Sequence, residues 1–312
     1  MQHFLRLNEL NDPQPTAVAL GMFDGVHLGH QALLKTMAKQ ARAKGLCTAA
    51  LTFFPHPRAV LLKRFGRQYL TTVEERAELI GECDIDLIIT TPFNDTTRNI
   101  RAAEYVELMQ KHLGMVEIWS GDFGFGFQRE GTADFLRSLN TGTPFEVFEY
   151  GEKYSAKGEP VSSSRVRHSL DSGEIDDVAD CLGRNYSLSG EVIIGDQRGR
   201  TIGFPTANLD VWEEKVLPAN GVYATWITLP DGSRHMTATN VGVRPTVDGQ
   251  SVRIEAHLID FSGDLYGQRL HLEFVKWIRG EKRFSGLEEL KNQINADVAL
   301  IRGVLQSAEG ES

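Results

Sequence analysis

Two histidines, His27 and His30, flank Leu28-Gly29 in the stretch Val18–Leu34, VALGMFDGVHLGHQALL. There a short apolar strand passes through a glycine-punctuated turn into a helix. Free backbone N–H groups and the positive end of a helix dipole gather at such a junction, so it suits a phosphate. Gly21, Gly25 and Gly29 lack Cβ atoms and let a ligand approach the backbone closely. Imidazoles placed there can stabilise charge that develops on a phosphate in a transition state. A metal pair is an alternative, but no HExxH glutamate accompanies it and no cysteine stands near. Ordinary packing is the other. Ser162-Ser-Ser-Arg-Val-Arg167 opens a later helix. Its hydroxyls and arginines make either an anion grip or a serine cap with solvated arginines. Thr206 and Asn208 are two apart, so on an extended chain they face the same way. Two short oxygen donors on one side suit Mg²⁺ bridging phosphates; the alternative is a Pro-Thr turn feeding a strand. Glu255 sits mid-strand on a polar face, where a carboxylate is ordinarily solvated.

The elements that must position these residues change character along the chain. In the first half, strands at Val18–Leu20, Cys47–Phe54, Asp86–Thr90 and Met115–Trp119 alternate with helices. The helices are read at His30–Lys44, closed by Gly45, then from a Thr72–Glu75 capping box to Glu82, and at Ile100–Leu113. This alternation implies an α/β doubly wound parallel sheet. Ligands of such sheets sit beyond the carboxyl ends of the strands. His27, Pro55-His56-Pro57, Asn94 and Gly121–Gly126 all follow predicted strands and converge on one rim.

From about Gly183 the segments are strands with hairpin punctuation: Ser187–Ile194, Gly221–Leu229, His235–Val241, an alternating run through Val252–Leu258, and Leu270–Ile278. A helix with a Ser285–Glu288 capping box and a stripe from Leu287 to Leu305 follows, then a frayed tail over Ser307–Ser312. The expected partner of the α/β domain is a small β-barrel with a terminal helix. The domain boundaries read as 1–183 and 184–312.

Composition narrows the function classes. The 312 residues carry a net charge of −9, which argues against a nucleic-acid or anionic-membrane surface. Three scattered cysteines, with no CxxC pair, argue against a disulfide framework and for a reducing compartment. No apolar run has membrane-spanning length and the first residues carry no signal-peptide core, so the expectation is a cytoplasmic protein, a monomer or weak oligomer.

GMFDGVHLGHQALL resembles the HxGH nucleotidyltransferase signature, in the GNFDGVHxGH form of the bacterial bifunctional riboflavin kinase/FAD synthetases. VSSSRVR is similar to that family's ISSTxxR motif, with Ser164 in the threonine's place. The resemblance implies that His27 and His30 contact ATP phosphates during adenylyl transfer, with Gly21, Phe23, Asp24 and Gly29 in the same nucleotide site. It implies that Ser163, Ser164 and Arg167 hold the triphosphate and leaving pyrophosphate. Pro55-His56-Pro57 resembles the flavin-side segment, and Asp122-Phe123 opens a match to the tail of GxDFxFG. Ser120 departs from the family's glycine, and Met22 from its usual asparagine.

Gly199–Leu209, GRTIGFPTANL, is similar to the riboflavin kinase PTAN motif. That resemblance implies ATP and Mg²⁺ at Gly199, Gly203, Thr206 and Asn208, with the glycine-rich approach Gly195–Gly203 folding over the phosphates. Asn220–Tyr223, Asn240–Thr246, Asp264–Gly267 and Arg279…Phe284 also look like the family. Tyr223, Arg279 and Phe284 are thereby placed on the flavin side, and Glu255 becomes the general base. The implied reactions are phosphorylation of riboflavin to FMN and adenylyl transfer from ATP to FMN, giving FAD. Rival readings are an active kinase half alone, another HxGH nucleotidyltransferase with an appended barrel, and a non-catalytic flavin sensor.

Overall fold

The computed structural model describes residues 1–63, 66–139, 142–151, 155–195, 199, 202–246 and 249–310. The chain forms two compact units, Met1–Ser163 and Ser164–Ser312.

In the first unit β1 (Gln2–Phe4), β2 (Thr16–Leu20), β3 (Cys47–Phe54), β4 (Leu87–Pro92), β5 (Met115–Ser120) and β6 (Glu146–Glu149) form one parallel sheet. Its order is β1-β4-β3-β2-β5-β6. The helices are α1 (Leu28–Ala43), α2 (Pro57–Leu61), α3 (Val73–Gly81), α4 (Ala102–Leu113) and α5 (Ala133–Ser138). Strand alternation sorts the core. Val18 and Leu20 of β2 pack with Tyr105, Val106 and Met109 of α4 on one face. Ala17 and Ala19 pack with Leu34 and Met37 of α1 and Ile80 of α3 on the other. The doubly wound sheet therefore stands as expected. Strand order reverses between β2 and β5, and the turn after β2 carries the histidines, so they lie at the switch point where such sheets bind ligands.

Edge strands β1 and β6 were not foreseen. Gln2–Phe4 is too short to show a period, and only half of β6 is shielded. A two-residue ribbon, β7 (Ser155–Ala156) with β8 (Glu159–Pro160), leads to α6 (Ser163–Ser172).

In the second unit α6 continues into α7 (Ile175–Leu182). The strands β9 (Tyr186–Ile193), β10 (Ala207–Val211), β11 (Gly221–Thr228), β12 (Arg234–Thr246), β13 (Gly249–Leu258) and β14 (Arg269–Arg279) close a barrel in the order β10-β13-β12-β11-β14-β9. All neighbours are antiparallel. The last helix, α8 (Leu287–Gly310), lays Ile301 and Leu305 on Val222, Ala224 and Trp226 of β11. Two expectations are corrected here. The chain is helical to Gly310 instead of fraying at Ser307, while Glu311 and Ser312 lie outside the described residues. Ser285 is joined by Glu289, not Glu288, whose carboxylate accepts from both its backbone N–H and its hydroxyl.

Ion pairs tie α8 to the barrel, Arg302 with Asp260 at 2.7 Å and the more buried Arg279 with Asp297. Arg279 at the end of β14 donates from Nε and a terminal nitrogen to Asp297, which is nearly buried and also accepts from Gln293. Removing one partner strands the other charge. We therefore expect Asp297→Ala to lower the stability of the second unit by about 3 kcal/mol, read by urea unfolding of the full chain.

Candidate active sites

In the first unit the turn from β2 to α1 is strained and well braced. Phe23, Gly25 and Val26 all have positive φ, and for β-branched Val26 at +39° this is costly backbone. Val26 N–H donates to the Phe23 carbonyl, Gly25 N–H to the Thr71 hydroxyl, and the Gln31 amide to the Val26 carbonyl. Asp24, expected among the phosphate-contacting residues, is buried instead. Its carboxylate accepts from the backbone N–H groups of Leu70 and Thr71 and pairs with buried Arg76 at 3.3 Å. Its contribution is to the shape of the turn. Phe23 is likewise buried and meets His30 edge-on, at 5.3 Å between centroids. A Cβ on Gly21 would lie 2.9 Å from the Phe23 ring, so glycine is needed there.

His27 caps α1: its Nδ1 accepts from the His30 N–H at 3.3 Å, so Nδ1 carries no proton. The two imidazoles stack at 3.7 Å, with Gly29 between them in the first helical turn. Among the described residues, the buried Nδ1 of His30 has no partner within the protein. Burial holds the His30 pKa well below the ordinary imidazole value of 6.5, and the charges of His27 and Arg76 push it the same way. An orphaned ring nitrogen is a costly feature and marks functional ground.

Ser163, the last residue of the first unit, donates from its hydroxyl to the Asp24 carbonyl at 2.8 Å. Ser164 is exposed and Arg167 half-buried. Arg165, the other arginine of the supposed grip, is used elsewhere: it holds Asp177 of α7 through two nitrogens.

On the flavin-side segments, Pro55 follows β3 through a cis Phe54-Pro55 bond, and His56 caps α2, opened by Pro57. The Tyr69 hydroxyl accepts from the His56 N–H. After β5, Asp122 is exposed and pairs with Arg129, whereas Phe123 is sunk into the core beside α4. The Ser120 hydroxyl accepts from the Asp122 N–H at 3.3 Å, so the departure from glycine is absorbed as a local turn. The Met22 carbonyl accepts from Thr52, a backbone bond that any residue there can make. The Asn94 carboxamide closes its own turn onto Thr96 and Thr97.

The barrel site follows from register. Opposite residues of an antiparallel pair share a face. Asn208 of β10 pairs with Glu255 of β13, Glu255 with Asn240 of β12, and Asn240 with Val222 of β11. Asn208, Glu255, Asn240 and Val222 thus form one row across four strands. They line a cavity of about 530 Å³ together with Gly199, Thr206, Arg253, His257, Arg279, Glu281, Lys282 and Phe284. The Asn208 carboxamide sits against Gly195, where a Cβ would lie 2.4 Å away. Arg279 is engaged with Asp297 and lies 5.9 Å from the Phe284 ring. Arg253 approaches Glu255 at 3.9 Å.

Of the expected kinase residues, Gly199, Thr206, Asn208, Glu255, Arg279 and Phe284 come together. Tyr223 does not line the cavity. It follows Val222, so it points to the other face, into the barrel interior, where its ring packs on Phe274 and its hydroxyl donates to the Ala219 carbonyl. Gly203 has φ +93° and open space around it. Within Gly195–Gly203, residues 196–198 and 200–201 lie outside the described residues, as do the side chains of Arg244, Pro245 and Thr246. Asn240, Arg253 and His257 were missed as site residues. The alternation of β13, which puts Arg253 and His257 on the Glu255 face, was the signal for two of them.

A histidine-capped helix at the switch of a parallel sheet, and a polar row at a barrel cavity, are features that suit a transferase acting on phosphates. Residues 9–165 match the FAD synthetase family and residues 182–305 the riboflavin kinase family. A bifunctional riboflavin kinase/FMN adenylyltransferase from Pseudomonas fluorescens is 36% identical over 97% of this chain and 98% of its own. Proteins of the same description from Listeria monocytogenes and Escherichia coli K12 are each 36% identical, covering 90% and 91% of this chain and 89% and 91% of theirs. A crystal structure from Streptococcus pneumoniae, described as a macrolide-efflux protein, matches with a TM-score of 0.87 at 26% identity, over 96% of this chain and 98% of that one. Among the described residues of this chain, no helix is long and apolar enough to cross a membrane. The chain belongs to the bifunctional riboflavin kinase/FMN adenylyltransferase family.

The depressed His30 pKa has a consequence for stability. Between about pH 6.5 and the lower folded value, the unfolded chain binds a proton that the folded chain does not. Stability is thus held above pH 6.5 and lost as pH falls below it. We expect His30→Gln to flatten this loss, measured as urea midpoints from pH 7.5 to 5.5; an unchanged slope would remove His30 as its source.

Proposed function

We propose that the first half, residues 1–183, adenylylates FMN and the second, residues 184–312, phosphorylates riboflavin, each at its own site. The chain makes FMN and then FAD, with ATP as co-substrate of both steps. In this functional division α6 and α7 count with the first half, although they pack within the second unit. The observation that carries the reading is the row joining Asn208, Glu255 and Asn240 at one cavity.

The two reactions ask for different residues. A ribityl hydroxyl is a poor nucleophile until its proton is removed, and Glu255 is the base we assign to it. Gly199, Gly203, Thr206 and Asn208 hold the ATP phosphates, and Arg279 and Phe284 border the flavin. The Thr206 hydroxyl and the Asn208 amide oxygen line the same cavity, fit a hard cation and would hold Mg²⁺. Bound there, Mg²⁺ would neutralise charge on the transferring phosphate. FMN, by contrast, is already an anionic nucleophile, so the first site needs no base. It must align two anions and absorb charge on the α-phosphate and the pyrophosphate. We assign this to His27, His30, the glycine-bordered turn, Ser163, Ser164 and Arg167. Pro55, His56, Pro57 and Asp122 border the flavin there, and Phe123 supports them from the core.

A cytoplasmic setting is supported by three free cysteines, Cys47, Cys83 and Cys181. We take the protein to be a monomer or weak oligomer that binds no nucleic acid, in keeping with its net charge of −9.

Chromatography of products from riboflavin and MgATP tests the reading directly. Replacing both His27 and His30 by Ala should cut FAD formation at least about 100-fold and leave FMN formation near wild type. Glu255→Ala should cut FMN formation by about 100-fold or more, with FAD still made from supplied FMN. Equal loss of both products in either folded variant would refute separate sites.

A further inference from the structure

We propose that His257 is a positioning residue of the kinase half, bracing the segment that carries Thr206; this rests on assigning the barrel cavity to riboflavin phosphorylation. The β10–β13 ladder begins with Ala207 opposite Ala256 and Asn208 opposite Glu255. By continuation of that register Thr206 falls opposite His257, one position beyond the last strand pair. A side chain takes over where the ladder stops. His257 Nδ1 lies 2.8 Å from the Pro205 carbonyl. That carbonyl can only accept, so Nδ1 carries the proton and the ring's tautomer is set by chemistry. Proline has no N–H, so its carbonyl is the only backbone handle Pro205 offers.

The brace reaches further than one bond. The Phe204 ring meets the imidazole edge-on at 5.5 Å. The Phe204 and Ile202 N–H groups both donate to the Gly199 carbonyl, at 2.8 and 3.2 Å, which closes the turn ahead of Thr206. His257 lines the same cavity as Glu255 and is two residues from it on β13. One strand therefore holds both the assigned base and the support for the phosphate-holding hydroxyl. Their separation is built into a rigid element and does not depend on a loop.

The test uses the full chain and three variants. Asn can place an amide N–H near the position of imidazole Nδ1, whereas Leu cannot donate and Gln carries its amide one carbon further out. We expect His257→Leu and His257→Gln to raise the KM for MgATP in riboflavin phosphorylation by about tenfold. The KM for riboflavin and FAD formation from supplied FMN should stay within about twofold, and His257→Asn should restore the MgATP KM. Without any ligand, hydrogen exchange of the Phe204, Thr206 and Ala207 amides should quicken in the Leu and Gln variants and not in Asn. Exchange in β11 and β14 should be unchanged. A wild-type MgATP KM in both Leu and Gln variants overturns the proposal. So do parallel rises for both substrates, failure of Asn to rescue, or faster exchange throughout the barrel. A wild-type chain that does not phosphorylate riboflavin overturns the underlying assignment instead.

Discussion

The antiparallel register of the barrel is the constraint on which the second site depends. Because opposite residues share a face, Glu255 can stand between Asn208 and Asn240 only while β10, β13 and β12 keep their present pairing. A slip of one residue would bring Ile254 or Ala256, both buried in the interior, to that face. Closure enforces the pairing: every strand has two neighbours, so no edge is left free to slide. The same parity removes Tyr223 from the cavity and puts Val222 in it.

The first unit meets a different demand by different means. A parallel sheet offers its strand ends and helix starts, and order reversal between β2 and β5 opens the crevice there. The chain must turn sharply after β2 to present a helix N-terminus, and it does so through positive-φ residues that include Val26. Such backbone holds only if its surroundings over-determine it. Buried Asp24, bonded to Leu70, Thr71 and Arg76, supplies that support. The stacked imidazoles then stand on a fixed base, with a lowered proton affinity at His30 that follows from burial.

The proposed division of labour follows from the chemistry of the two nucleophiles. An alcohol must be activated, and the barrel cavity carries the Glu255 carboxylate beside Asn208 and Asn240. A phosphate needs no activation, and the sheet domain has imidazoles at a helix start. Neither arrangement would serve the other reaction well, which is the physical case for two sites in one chain.

Much of this was legible beforehand. The continuous apolar run Cys47–Phe54 is β3 residue for residue, because a strand buried on both faces needs no alternation. The Thr72–Glu75 capping box starts α3 as read, since both of its bonds are local. The edge strands β1 and β6 escaped because short, half-shielded segments carry little pattern. Local sequence determined the elements, the turn types and the motifs that carry His27, His30, Thr206, Asn208 and Glu255. Only tertiary structure decided that Asp24 would be buried against Arg76, that Tyr223 would face inward, and that Asn240 of a neighbouring strand would join Glu255 at one cavity. Those outcomes depend on which strand lies beside which and in what register, and contacts between residues far apart in the chain leave no local period to read.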